Sequence, residues 1–296
     1  MGKIGRLLTA MVTPFDSNGE VDYVQAKILA NALIVSGSDG LVVAGTTGEA
    51  PTLSHEEKLR LFSEIKLAVG DKAAVIAGTS NYNTAESIEF TKEAEVIGVD
   101  GALLTVPYYN KPTQEGLYQH FKSIAESTAL PCIVYNVPSR TVTDMTAETT
   151  IRLSHIPNII GVKEASGNME QVARIIGGAD DGFRVWSGND SDIFLVMSMG
   201  GFGVISVAAH IIGIQIKNMM NDIVGGNVVN AAKEHIRLMD MFSGLFVISN
   251  PMPVKHAVNM AGISVGEPRL PLLPLDNTTE AFVKDLIASY SVDLTA

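Results

Sequence analysis

The chain has 296 residues, of which 46% are hydrophobic and 18% charged, and its formal net charge is −11. This length fits one large α/β barrel or two ordinary domains, and the negative charge without a Lys/Arg cluster argues against nucleic acid or an anionic membrane as a partner. The single cysteine, Cys132, allows no disulfide within one chain, which fits a reducing cytoplasm.

The N-terminus runs directly into a strand pattern at Leu7, without the features of a signal peptide. Apolar stretches such as Gly203–Ile214 are too short to span a bilayer. We therefore expect a cytoplasmic protein.

Eight apolar, β-branched runs follow one another along the chain, separated by stretches with helical spacing. They lie at Leu7–Val12, Leu41–Ala44, Ala73–Ala77, Gly101–Val106, Cys132–Asn136, Ile159–Lys163, Phe183–Trp186 and Gly203–Val207. Eightfold strand-helix alternation is typical of a closed parallel (β/α)8 barrel, a TIM barrel. The alternative, an open doubly wound sheet, needs a Gly-rich phosphate turn after the first strand, where this chain has Val12–Asp16.

Several helix starts carry an N-cap residue with Glu or Gln three positions later. These pairs are Asp22 with Gln25, Ser54 with Glu57, Asn83 with Glu86, and Asn168 with Gln171. Beyond residue 226 the strand signals stop, and helices are predicted at Val228–Phe246, Met252–Ala261 and Thr279–Tyr290. The sequence thus predicts a barrel domain over residues 1–226 and a C-terminal helical domain over residues 227–296.

In such a barrel the catalytic groups belong at the carboxyl ends of the strands. Polar groups do follow the predicted strands, at Gly45–Glu49, Gly78–Asn81, Pro107–Asn110, Tyr135–Thr141, Lys163 and Ser187–Asp190. No metal-ligand spacing occurs among the six histidines, so no metal is expected.

Lys163 is the most informative of these residues, because it ends the apolar run Ile159–Lys163. Lysine is rarely buried, and a buried lysine loses its proton readily and becomes a nucleophile for carbonyl carbons. The plainer interpretation is a lysine that reaches solvent or pairs with Glu164.

Four neighbours of this lysine in the predicted barrel would suit condensation with a 2-oxo acid. Thr46 and Thr47 offer donors for a carboxylate, Tyr135 can carry protons, and Arg140 can bind a second carboxylate. Each has a weaker explanation as a tight turn, a rim aromatic or a surface charge, and their joint occurrence favours a shared site.

The segments Gly45–Glu49, Pro107–Pro112, Tyr135–Thr141 and Gly161–Gly167 resemble those of the dihydrodipicolinate synthase family. This family belongs to the pyruvate-dependent class I aldolases, which also include N-acetylneuraminate lyase. The resemblance extends over essentially the whole chain. It implies a lyase that condenses pyruvate with L-aspartate 4-semialdehyde, at the start of the diaminopimelate branch of lysine biosynthesis, without a cofactor.

The resemblance also implies residue roles. Lys163 forms the Schiff base, Tyr135 transfers protons, and Thr46 and Thr47 hold the pyruvate carboxylate. Thr47 links Tyr135 to Tyr109, which reaches in from a neighbouring subunit of a homotetramer built from two dimers. Substrate contacts are also implied for Arg140, Gly188 and Ile205.

Two alternatives remain within this interpretation. One is another pyruvate-type aldolase, such as N-acetylneuraminate lyase or a 2-keto-3-deoxy sugar acid aldolase, and the other is a barrel that only binds an oxo acid. Arg140 favours the synthase, because its second substrate carries a carboxylate. In members inhibited by lysine, the position of Lys58 is usually His or Glu, so we expect weak or absent inhibition here.

Overall fold

The computed structural model describes residues 4–295. Strands and helices alternate along most of this range, and the last four elements are helices. The strands are β1 (Leu7–Ala10), β2 (Gly40–Val43), β3 (Ala74–Gly78), β4 (Gly101–Thr105), β5 (Cys132–Asn136), β6 (Ile159–Glu164), β7 (Arg184–Ser187) and β8 (Gly203–Ser206).

The helices follow the same order, with short 3₁₀ turns at Ala50–Thr52 and Asp190–Asp192. They are α1 (Tyr23–Val35), α2 (His55–Val69), α3 (Thr84–Ile97), α4 (Gln114–Ala125), α5 (Pro138–Thr141), α6 (Ala147–Ser154), α7 (Met169–Gly178), α8 (Ile193–Ser198), α9 (Ala209–Val224), α10 (Val228–Gly244), α11 (Met252–Met260) and α12 (Asn277–Ala288). No helix within residues 4–295 has the length and apolar character needed to cross a membrane.

The eight strands form a closed barrel in the order β1 to β8, and the strand pairs with a described register are parallel. The predicted TIM barrel is confirmed, and the open doubly wound sheet is wrong. All eight predicted strands are present, with ends that differ from the predictions by at most two residues. The three predicted C-terminal helices correspond to α10, α11 and α12, and the assignment of residues 1–226 and 227–296 to separate domains stays a prediction.

Contacts group the chain into two compact units, one holding the chain up to Val75 together with Ser206 onward, and the other holding Ile76–Ile205. In the first unit α1 packs on α2, and α9 packs on both α10 and β1. Leu7, Leu29 and Phe62 are fully buried there. This apolar packing anchors the N-terminal strands to the C-terminal helices.

In the second unit β5 pairs with both β4 and β6, and β6 also pairs with β7. Gly161 allows the close approach of β6 to β7, because a Cβ there would lie 2.2 Å from the carbonyl oxygen of Arg184 and 2.7 Å from the Trp186 ring. Cys132 is buried at the start of β5, and burial raises the pKa of its thiol to about 12. It is a small core residue, as predicted.

Local sequence signals account for the helix starts. Asp22, Asn83 and Asn168 each accept backbone N–H bonds as N-cap residues. Ser54 and Glu57 form a reciprocal capping box at the start of α2. These caps satisfy N–H groups that have no partner inside the helix, and all four predicted starts are confirmed.

Candidate active site

Lys163 and Tyr135 lie side by side on two hydrogen-bonded strands. Tyr135 is the direct partner of Lys163 in the β5–β6 ladder, and Nζ of Lys163 lies 4.2 Å from the centroid of the Tyr135 ring. Their exposed fractions are 6% and 5%. Lys163 is therefore buried. The plainer interpretation of the sequence, in which this lysine reaches solvent, is wrong.

Burial changes the acidity of this amine. The pKa of Lys163 is lowered to about 8, mainly by desolvation, while the negative charge of Asp190 raises it and the positive charge of Arg140 lowers it. Within residues 4–295 the amine donates no hydrogen bond to a protein acceptor. With a pKa of about 8, roughly a tenth of the amine is uncharged at pH 7, compared with about one part in 2,500 for an unperturbed lysine. Lys163 is thus a competent nucleophile near neutral pH.

Asp190 was not singled out by the sequence analysis. It is 3% exposed and begins the 3₁₀ turn after β7. Its position four residues from Trp186, the β7 partner of Lys163, was visible in the sequence. Its negative charge raises the pKa of Lys163 and so opposes the effect of burial. The sequence pattern alone did not reveal these opposing effects.

Arg140 lies on α5, a single turn that directly follows β5, and its side chain is exposed. Thr141 ties this turn down, since its hydroxyl donates to the carbonyl oxygens of Val137 and Thr143 at 3.1 and 2.9 Å. The positive charge of the guanidinium lowers the pKa of Lys163. An exposed guanidinium on this turn is suited to an incoming carboxylate.

The outer face of the same two strands carries a polar network. Glu164 is buried, and its carboxylate accepts bonds from the Asn136 amide at 3.1–3.2 Å and from the Ser166 N–H at 2.7 Å. Gln171 also donates to it at 3.4 Å. Burial raises the pKa of the Glu164 carboxyl. Asn136 follows Tyr135 in the chain, and Glu164 follows Lys163. This network therefore stabilises the register of the two strands on the face opposite to Tyr135 and Lys163.

Gly188 and Ile205 are placed by close packing. The Gly188 N–H donates to the carbonyl oxygen of Glu164 at 2.7 Å, and a Cβ on Gly188 would lie 2.6 Å from that of Ala165. Ile205 is fully buried in β8. Both lie in the same unit as Lys163, and their contacts with a substrate stay predictions.

Tyr109 differs from the other predicted site residues, because 90% of its side chain is exposed. It lies in a segment with positive backbone φ angles, 73° at Tyr109 and 46° at Lys111. Such values are uncommon for residues other than glycine. The structure therefore presents this phenol outward on a constrained loop.

Thr46 and Thr47 lie in the first unit, in the turn after β2. Thr46 is half-buried, whereas Thr47 is 3% exposed and its hydroxyl accepts a bond from Nδ2 of Asn250 at 2.9 Å. The Thr13 hydroxyl donates to the carbonyl oxygen of Gly48 at 2.7 Å. The two threonines are thus held in a turn that is anchored on both sides.

A buried ion pair anchors the same turn. Nζ of Lys255 lies 2.9 Å from Oε1 of Glu49, and each side chain is 1% exposed. The lysine also donates to the carbonyl oxygens of Thr13 and Glu267 at 3.0 and 3.1 Å. Asn250, Lys255 and Glu49 were missed in the sequence, since partners more than 200 residues apart leave no local pattern.

Residues 3–289 match the model of the dihydrodipicolinate synthetase family. The chain is 57% identical over 294 residues to a 4-hydroxy-tetrahydrodipicolinate synthase of Dehalococcoides mccartyi, covering 99% of both chains.

Solved structures agree with that match. A dihydrodipicolinate synthase of Bacillus anthracis is 44% identical with a TM-score of 0.96, covering 98% of this chain and 99% of the other. The lysine-bound enzyme of Cyanidioschyzon merolae is 46% identical with a TM-score of 0.96 and the same coverage.

Proposed function

The chain belongs to the dihydrodipicolinate synthetase family, and from this membership we propose that it catalyses the reaction of 4-hydroxy-tetrahydrodipicolinate synthase. The substrates would be pyruvate and L-aspartate 4-semialdehyde, and the enzyme would act as a class I aldolase-type lyase in lysine biosynthesis. The observation that carries the proposal is the buried Lys163 amine, whose pKa is lowered to about 8 beside the Tyr135 ring.

The first half of the proposed reaction forms the nucleophile. The uncharged amine of Lys163 attacks the keto carbon of pyruvate, and loss of water gives a protonated imine. The imine draws electrons from the neighbouring methyl carbon, which loses a proton and leaves an enamine. Tyr135 is the proposed proton carrier for these steps, with Thr47 and Tyr109 linked to it as the family resemblance implies.

The second half joins the two substrates. The enamine carbon attacks the aldehyde carbon of L-aspartate 4-semialdehyde, and the new alkoxide takes up a proton. The amino group of the same substrate then displaces Lys163 from the imine carbon, which closes the ring and regenerates the lysine. We assign the carboxylate of this substrate to Arg140, and that of pyruvate to Thr46 and Thr47, with Gly188 and Ile205 lining the pocket.

The assembly and location are proposed on the same basis. A cytoplasmic homotetramer of two dimers would use the outward-facing Tyr109, which is 90% exposed in the single chain. An exposed phenol on a constrained loop is what a residue serving a neighbouring subunit requires. Analytical ultracentrifugation tests this, and a fully active monomer would contradict the role of Tyr109.

A coupled assay tests the reaction itself. The enzyme should consume pyruvate only when L-aspartate 4-semialdehyde is present, and Arg140→Ala should raise the KM for the aldehyde far more than that for pyruvate. Cleavage of N-acetylneuraminate or a 2-keto-3-deoxy sugar acid, with no turnover of the aldehyde, would move the assignment to those aldolases. Binding of pyruvate without any turnover would identify a barrel that only binds an oxo acid.

Lysine provides a separate test of regulation. We propose that L-lysine inhibits weakly or not at all, because the ammonium of Lys58 would repel the ligand from the position where inhibited relatives carry His or Glu. Strong inhibition by submillimolar lysine would contradict this.

A further inference from the structure

The segment that enters α11 contacts the turn carrying the two threonines. Asn250 lies two residues before the first residue of this helix, and its Nδ2 lies 2.9 Å from Oγ1 of Thr47. Asn250 is 5% exposed and Thr47 is 3% exposed. Water does not compete for a hydrogen bond between two buried side chains, so this bond fixes their relative orientation.

The direction of this bond has a chemical consequence. The amide nitrogen of asparagine can only donate, whereas a threonine hydroxyl carries one proton and can also accept. When the hydroxyl of Thr47 accepts from Asn250, its own proton remains available for a different acceptor. Asn250 thereby makes Thr47 a donor toward whatever lies on its other side.

The surrounding turn leaves little freedom for another arrangement. Thr13 holds the carbonyl oxygen of Gly48, and the N–H of Glu49 donates to the carbonyl oxygen of Thr46 at 3.1 Å. Glu49 is in turn bound to Lys255, which lies on the same helix that Asn250 precedes. The C-terminal helical segment therefore fixes this turn at Thr47 and at Glu49.

We propose that Asn250 is a positioning residue, which holds the Thr47 hydroxyl as a hydrogen-bond donor for the carboxylate of pyruvate. This rests on the proposed function, because it assigns the acceptor to that substrate. It also gives the C-terminal helices a part in substrate binding. A carboxylate accepts strongly from a correctly oriented hydroxyl, and a hydroxyl turned away from it leaves the charge poorly solvated.

Two substitutions at this position test the direction of the bond. Asn250→Ala removes the donor, and Asn250→Asp replaces it with a group of the same shape that accepts the Thr47 proton. We expect the KM for pyruvate to rise about tenfold in Asn250→Ala and by more in Asn250→Asp, with a smaller change in kcat. The same order should appear in the pyruvate concentration that half-saturates borohydride trapping.

A double-mutant cycle separates positioning from a general structural effect. If Asn250 acts through Thr47, adding Asn250→Ala to Thr47→Val should raise the KM for pyruvate no further. Additive losses would overturn the inference. Thermal unfolding by circular dichroism shows which variants are folded, and the isosteric Asn250→Asp keeps the test open if Asn250→Ala is not.

Asn259 on α11 is the matched control. Its side chain accepts from the N–H of Val265 at 2.7 Å and donates to the carbonyl oxygen of Gly266 at 3.1 Å, and neither partner belongs to the threonine turn. Asn259→Ala should lower the melting temperature and leave the KM for pyruvate unchanged. An equal rise of KM in this variant would contradict a specific role for Asn250.

Failure of the inference is distinct from failure of the proposed function. If the unmodified enzyme traps pyruvate and turns over, but both Asn250 variants match its KM, the positioning role is wrong and the function stands. If the unmodified enzyme traps no pyruvate, the proposed function is wrong and this role falls with it.

Discussion

Two buried lysines lie in different compact units and have different roles. Lys163 is the penultimate residue of β6 in the second unit, and Lys255 lies in α11 in the first, with exposed fractions of 6% and 1%. Burial is the main cause that lowers the pKa of each. Each amine lies over an aromatic ring, with Nζ of Lys163 4.2 Å from the Tyr135 centroid and Nζ of Lys255 4.1 Å from the Phe15 centroid. The difference lies in the acceptors, because Lys255 donates to three of them, including the Glu49 carboxylate. The partners of a buried lysine, and not its burial, decide whether it is structural or reactive.

The largest effect should come from removing each amine in turn. Lys163→Met should abolish turnover, with a loss on the order of 10⁴ or more, because the nucleophile is gone. Lys255→Met should keep measurable activity in its folded fraction. The coupled assay at saturating substrates checks this, and comparable turnover in the two variants would erase the distinction between the lysines.

Stability should change in opposite directions in the same two variants. Lys255→Met leaves Glu49 buried without its cation and should lower the free energy of unfolding by about 3–5 kcal/mol. Lys163→Met removes a desolvated amine and should raise that free energy by about 3 kcal/mol near pH 7. Denaturant titration measures both, and Glu49→Gln combined with Lys255→Met should recover part of the loss.

The sign of the pH dependence follows from the lowered pKa of Lys163, about 8 in the folded state against 10.5 for an ordinary lysine. Between these values the unfolded chain binds more protons, so the contribution of Lys163 to stability becomes more favourable as pH rises from about 8 to about 10.5. This contribution to the slope should be missing in Lys163→Met. A pH dependence identical to that of the unmodified protein would show that the amine titrates normally.

Schiff-base formation should report the same pKa. Its rate should rise roughly tenfold between pH 7 and pH 9, as the uncharged amine accumulates. Asp190→Asn should move the midpoint to lower pH and Arg140→Gln to higher pH, because these charges respectively raise and lower the pKa of Lys163. Stopped-flow trapping of pyruvate measures the midpoints, and shifts in the same direction would refute this electrostatic explanation.

The smallest effect should come from a lysine at the surface. Nζ of Lys27 lies 2.9 Å from Oε2 of Glu64, but 39% of the Lys27 side chain is exposed. Lys27→Met should change the free energy of unfolding by at most about 1 kcal/mol, because water and salt screen such pairs. A loss as large as that of Lys255→Met would mean that burial is not what gives the inner pair its strength.

The sequence predicted what depends on local patterns. Strand runs, N-caps such as Ser54, and the strand-end Lys163 all follow from residues a few positions apart. The bond from Asn250 to Thr47 joins positions 203 apart, and the Lys255–Glu49 pair joins positions 206 apart. Such partners are set by packing of the folded chain, so a lysine inside a helix, such as Lys255, gave no sign of being buried.

The most direct test of the reactive amine is peptide mapping after borohydride reduction in the presence of pyruvate. We predict a single adduct on Lys163, present in the unmodified enzyme, retained in Lys255→Met and absent from Lys163→Met. An adduct on Lys255 or another lysine, or none at all in the unmodified enzyme, would contradict the assignment of Lys163 as the nucleophile.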